Sequence, residues 1–400
     1  MALACLTALL AGGCGSGAKP SSPAGGTLPG AGTRSGAAEL RAQLTGLLAQ
    51  HVRLSGIAAA VGLQRGFGSP EHAAAARAVD ADARALGAAI GSAYGQTAGR
   101  RFLATWRRGA PLVTAYARGQ ADQDAKRTAR ALDGLDRWRT QVAAVLAAAN
   151  PRLRTTATFR ALSPPVAGLA SAINDAVEHD PQGPEQLRTA VEETQPVARL
   201  IADGTAARLP RSYPGSADTG AAELRTGLTG LLVDHPGLAF QAVAQELWTG
   251  RDAKVSRASG AALDANAAAL SQIVASAYGQ QPGTTFLSLW RKQNTFLLDY
   301  AHAQERHDKA RAARALGNLD ATRSDLGAFF AAFGPELGDS SVKDALTPPL
   351  DATTGAIRAL VAGSPKAYGR VQDAATLMPH LAGVLAEGIA RRYPARFPER

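Results

Sequence analysis

Cysteine is almost missing: Cys5 and Cys14 are the only two in 400 residues, and both lie near the start. The remaining chain can therefore hold neither a disulfide framework nor a cysteine-based metal site. Aromatics make up only 5%. With few β-branched runs beside them, this argues against a β-sandwich or barrel. Charged residues stand at 19% against 46% hydrophobic ones, which excludes a disordered chain. No uninterrupted apolar run reaches about 18 residues, so no transmembrane helix is expected. There is no Walker loop, His-Glu-x-x-His pair, EF-hand loop or Gly-x-Ser-x-Gly elbow. No carboxylate spacing picks out an acid–base pair, and enzymatic activity is not expected. What is plentiful is Ala, Leu and Arg, a helix-forming set. The length suits two domains of ordinary size.

The two cysteines belong to a segment of their own. A short apolar stretch runs to Ala11 and is followed by Gly12-Gly13-Cys14-Gly15. It resembles a bacterial lipoprotein signal, in which small residues precede a Cys that becomes lipidated and N-terminal after cleavage. Residues 1–13 are expected to be the signal peptide, and Cys14 the acylated, palmitate-type anchor in the bilayer. Ala11 stands where Leu is commoner, and the first basic residue is Lys19, which points to a start upstream of Met1. Residues 14–35 are Gly, Ser, Pro and Ala for the most part, a disordered tether. The expected location is the extracytoplasmic face of the cell membrane.

The rest of the chain is one module written twice, at an offset of 184 (Gly36 to Gly220). Leu44-Thr45-Gly46-Leu47-Leu48 returns as Leu228-Thr229-Gly230-Leu231-Leu232. Ser92-Ala93-Tyr94-Gly95-Gln96 returns as Ser276-Ala277-Tyr278-Gly279-Gln280, and Trp106-Arg107 as Trp290-Arg291. The expected domains are residues 36–215 and 216–400, divided at the turn Tyr213-Pro214-Gly215-Ser216. The fold expected is all-α: two tandem homologous bundles of about six helices each, in up-and-down hairpins.

Local signals place the helices. Leu40, Leu44, Leu47, Leu48, His51 and Leu54 form the stripe of a buried helix face. Gly95 and Gly279 suit a left-handed helix end. Pro111 is expected to kink the helix that carries Trp106 and Tyr116. Asp124 and Asp308 read as N-caps, and Ser163-Pro164-Pro165 and Thr347-Pro348-Pro349 as helix starts.

Trp290-Arg291, Phe296-Leu297-Leu298-Asp299-Tyr300, Ala315-Leu316-Gly317-Asn318-Leu319-Asp320 and the ending from Leu385 to Pro394 resemble a known group. It comprises tandem-module helical lipoproteins and secreted proteins of Gram-positive bacteria, largely without assigned function. The resemblance implies a His shortly after the Trp-Arg pair and another in the last helix. Here the first place holds Gly109-Ala110 and Gln293-Asn294, and the second falls near Leu377.

His51 and His235 are the only two of seven histidines kept by the duplication. They are the metal candidates, with Asp80 and Asp264, and after them Asp136 and Asp320, as carboxylate partners. The competing reading is a hydrogen-bonded core His, with Asp136 and Asp320 in ion pairs to Arg139 and Arg323 at i+3. Net charge is +10, and the excess sits in the first module, which has 22 basic against 15 acidic groups; Arg100, Arg101, Arg107 and Arg108 lie close together in sequence. Anionic lipid or a wall polymer is the expected partner of that charge, and nucleic acid is not. The expected function is non-enzymatic binding or scaffolding at the cell envelope, without a cofactor. The alternative is metal binding or handling through His51 and His235.

Overall fold

The computed structural model describes residues 31–398, and these are all-helical apart from turns and short loops. Cys5, Cys14, the signal segment and most of the tether lie outside the described residues. A 3-10 turn at Ala31–Arg34 leads into α1 (Gly36–Arg65), α2 (Pro70–Tyr94), α3 (Gln96–Trp106), α4 (Gly109–Ala121) and α5 (Ala125–Ala149). The first half continues with α6 (Thr155–Ala161), α7 (Ser163–Glu178), α8 (Gly183–Glu192) and α9 (Gln195–Arg208). The second half holds α10 (Gly220–Thr249), α11 (Lys254–Tyr278), α12 (Gln280–Glu305), α13 (Lys309–Ala331), α14 (Asp339–Val361) and α15 (Lys366–Arg392).

The caps explain the starts. The Ala38 N–H donates to Ser35 Oγ at 3.2 Å ahead of α1, and the Ala222 N–H donates to Thr219 Oγ1 at 3.1 Å ahead of α10. Such a cap stabilises a helix by about 1 kcal/mol. Asp124 and Asp308 cap α5 and α13 as expected, accepting from Arg127 N and Arg311 N at 2.9 Å. Gly95 and Gly279 do have positive φ, but with ψ of 154° and 169° they are extended, not left-handed helical. That region is open essentially to glycine alone.

The halves share helix boundaries but not helix continuity. The first half breaks at Arg107-Arg108, ahead of Pro111, where a kink was expected. The second half has Thr295 at the place of Pro111, and α12 runs through. Ser163-Pro164-Pro165 opens α7, whereas the matching Thr347-Pro348-Pro349 lies inside α14 and starts nothing. A third break separates α8 from α9, where α15 is continuous despite Pro379.

The two halves do not stand apart as separate bundles. α1 and α10 lie side by side in the same direction, and their contacts are reciprocal. Arg41 reaches Glu223 at 2.8 Å, and its counterpart Arg225 reaches Glu39 at 3.0 Å. A Cβ on Gly46 would lie 3.3 Å from Thr229 Cγ2, and one on Gly230 3.4 Å from Thr45 Cγ2. This is the pattern of a two-fold interface, here within one chain. Further along, Arg53 forms a buried fork with Asp234 at 2.6 and 2.9 Å. Leu54, Ile57 and Val61 share one apolar core with Leu238 and Val243. Each half also keeps a core of its own, around Leu44, Leu86 and Trp106 in the first and Leu228, Leu270 and Trp290 in the second. Burying one such leucine contributes about 1.5–3 kcal/mol. α1 is the one described helix long and apolar enough to cross a membrane, and 72% of its most apolar stretch is buried against the rest of the protein.

Candidate functional site

His51 on α1, Asp82 on α2 and Trp106 at the end of α3 meet in the first-half core. Asp82 takes its place because Val79, Asp82, Leu86 and Ile90 share the buried face of α2. His51 Nδ1 lies 3.0 Å from Asp82 Oδ2, and the Trp106 indole N–H donates to His51 Nε2 at 3.1 Å. An indole N–H only donates, so Nε2 accepts and the ring proton sits on Nδ1, which donates it to Asp82. The imidazole stands edge-on to Trp106, ring centres 5.2 Å apart. Trp138 supports Trp106 from behind, its N–H donating to the Thr105 and Trp106 carbonyls at 3.2 Å. Asp82 is 1% exposed, and its Oδ1 has no hydrogen-bond partner. Burial pushes the Asp82 carboxyl above the usual carboxylate range, opposed by its hydrogen bond and charge interaction with His51.

Beside this trio lies a cavity of about 60 Å³. His51, Ser55, Trp106 and Trp138 line it from one side, and Val113, Leu169 and Ile173 from the other. Gly109 is required here. A Cβ on it would lie 2.9 Å from Trp138 Cε2, so the indole packs on bare backbone.

The second half keeps the frame and changes the filling. His235, Asn266 and Trp290 take the three places, with the His235 and Trp290 ring centres 5.1 Å apart. Asn266 replaces the acid, and its Nδ2 donates to the Leu231 carbonyl at 3.0 Å. His235 is 1% exposed, and burial holds its pKa down to about 4, so it is neutral at pH 7. Its Nδ1, Trp290 Nε1, Gln293 Oε1 and Asn294 Oδ1 are buried without partners. Gly109 and Ala110 have become Gln293 and Asn294, while Trp138 has become Thr322 and Ser55 Ala239. Larger polar residues thus stand at two positions that border the first-half cavity.

The sequence candidates are only partly brought together. Asp80 faces outward from the middle of α2 and pairs with Arg84 and, at 2.6 Å, with Arg107. Asp264 pairs with Arg291 at 2.6 and 2.7 Å. Neither carboxylate meets His51 or His235, and neither caps a helix. Asp136 and Asp320 pair with Arg139 and Arg323, as expected. Among the described residues, no three His, Cys, Asp or Glu side chains gather as a metal set. Asp82 was the residue to find: its signal is an acid on the apolar stripe of α2, two positions past the Asp that the duplication kept. No family model, curated protein or solved structure matches this chain.

Proposed function

We propose that this chain is a non-enzymatic binding protein of the extracytoplasmic membrane face, anchored through acylated Cys14, with its ligand seat in the first-half cavity. The cavity carries the proposal. Its lining is almost wholly aliphatic or aromatic, and of its polar members His51, Trp106, Trp138, Tyr116 and Thr194 already have hydrogen-bond partners within the protein. Such cavities stay dry and take apolar guests. An engineered apolar cavity that accepts benzene measures about 150 Å³. At about 60 Å³ this one suits the end of an alkyl chain better than a ring.

The same geometry argues against catalysis. A base needs a free lone pair within reach of the proton it removes. His51 Nε2 is occupied by the Trp106 N–H. Ser55, one turn on, makes no hydrogen bond to it. At His51 metal binding lacks the same lone pair, since both ring nitrogens are engaged.

The test is hexanol binding to the purified chain, followed by tryptophan fluorescence, since two of the four tryptophans line the cavity. The expected result is a saturable change with a rise in Tm, both lost in Ala170→Leu, which fills the cavity from α7. No saturable change, or an unaltered response in Ala170→Leu, overturns the reading. Stoichiometric copper, zinc or iron by elemental analysis would favour the metal alternative.

A further inference from the structure

One pole of the first half gathers arginines that form no ion pair among the described residues. The pole is fixed by contacts between helix ends. α1 begins against the segment after α9, with the Ala37 N–H donating to the Pro214 carbonyl at 3.2 Å. Asn150, just after α5, donates through Nδ2 to the Tyr94 hydroxyl at 3.1 Å, where α2 ends, and to the Gly204 carbonyl of α9 at 2.8 Å. Around this junction stand Arg100, Arg152, Arg154, Arg208 and Arg211, all exposed. None has an acidic partner among the described residues, and Arg100 reaches only the Thr97 hydroxyl. The corresponding second-half residues are Thr284, Glu336, Gly338, Arg392 and Ala395. Five positive charges in one half answer to no net charge in the other. Arg107 and Arg108, neighbours of Arg100 in sequence, lie elsewhere, paired with Asp80 and bonded to Gln141.

The position of the pole says what covers it. The described chain starts at Ala31 and enters α1 here, so residues 1–30 join the body at this end. α10 begins beside α1, so both halves present their first ends on the same side. We propose that this pole rests on an anionic lipid surface, the five arginines facing its phosphate headgroups. The inference rests on the membrane anchor proposed above and not on the cavity. Each guanidinium near such a surface adds an attraction that salt screens.

The experiment uses the full chain carrying Cys14→Ser, so that no acyl group contributes. Co-sedimentation is measured with phosphatidylcholine vesicles, with and without about one third phosphatidylglycerol. Binding is expected only to the anionic vesicles and is lost on raising salt from about 0.1 M to about 0.5 M. Replacing Arg100, Arg152, Arg154, Arg208 and Arg211 together by Ser is expected to lower the partition coefficient at least about tenfold. A control removes the same charge from the opposite end: Arg65, Lys126, Arg130, Arg306 and Arg314 to Ser. It is expected to keep most of the binding. An equal loss in the control, indifference to phosphatidylglycerol, or capture by a soluble glycerol-phosphate polymer without vesicle binding would each overturn the proposal.

Discussion

The half whose helices are broken is the half whose His–Trp pair borders the apolar cavity. The breaks at Arg107-Arg108, Leu162 and Glu193-Thr194 all border it, through Trp106, Gly109, Leu162, Pro165 and Thr194. The second half runs continuous helices past the same places and sets Gln293 and Asn294 where the first has Gly109 and Ala110. Similar helical frames, repeated along the chain at an offset of 184, therefore support two interiors. What separates them is a handful of side-chain volumes and the helix continuity around them.

The most disruptive exchange gives the second half the acid of the first. Asn266→Asp places a carboxylate against the Leu231 carbonyl and a neutral, fully buried His235. It is expected to cost about 3–5 kcal/mol at pH 7 in denaturant unfolding, because a fully buried carboxylate would face a neutral imidazole and no cation. The reverse change, Asp82→Asn, is expected to cost under about 1 kcal/mol, since an amide already serves at that place in the other half. Equal effects from the two would show that the environments do not differ.

The next effect comes from His235 itself. Its folded pKa of about 4 lies below the ordinary histidine value of 6.5, so the unfolded chain takes the proton first. Stability is therefore full above pH 6.5 and falls as the pH drops toward 4, by about 3 kcal/mol from this group. Unfolding free energies measured across that window, with His235→Gln as reference, check it; identical slopes would refute it.

The smallest effect tests the exchange of volumes. Gly109→Gln alone drives a side chain into Trp138 and is expected to cost about 2 kcal/mol. Gly109→Gln with Trp138→Thr copies the second-half pair and is expected to recover at least half of that loss beyond additivity. A strictly additive double variant would mean that the two positions do not compensate.

Much of the fold was legible because the chain is written twice. A repeat at a fixed offset predicts equal helix boundaries, and α1 with α10 and α2 with α11 match end for end. The caps Asp124 and Asp308 were readable because a cap is a local contact. The status of the prolines was not. Ser163-Pro164-Pro165 and Thr347-Pro348-Pro349 look alike, yet only the first opens a helix, because packing around each pair decides whether the lost hydrogen bond is tolerated. At the site, His51 and His235 stood out by being retained. Asp82 did not, since repetition points to Asp80 and Asp264, which face outward in ion pairs. On a helix, two positions of separation turn a residue to the other side. Here the informative acid was the one that the second half had lost.

The reciprocal seam between α1 and α10 has a consequence for assembly. A symmetric dimer comes apart on dilution; this one cannot, because both partners are fixed on a single polypeptide and their effective concentration never falls. The same covalent link leaves no unmatched seam for a neighbouring molecule to occupy. Unlike a pair of identical subunits, the two sides of one chain can differ in sequence while staying mated, as Arg53 opposite Asp234 shows.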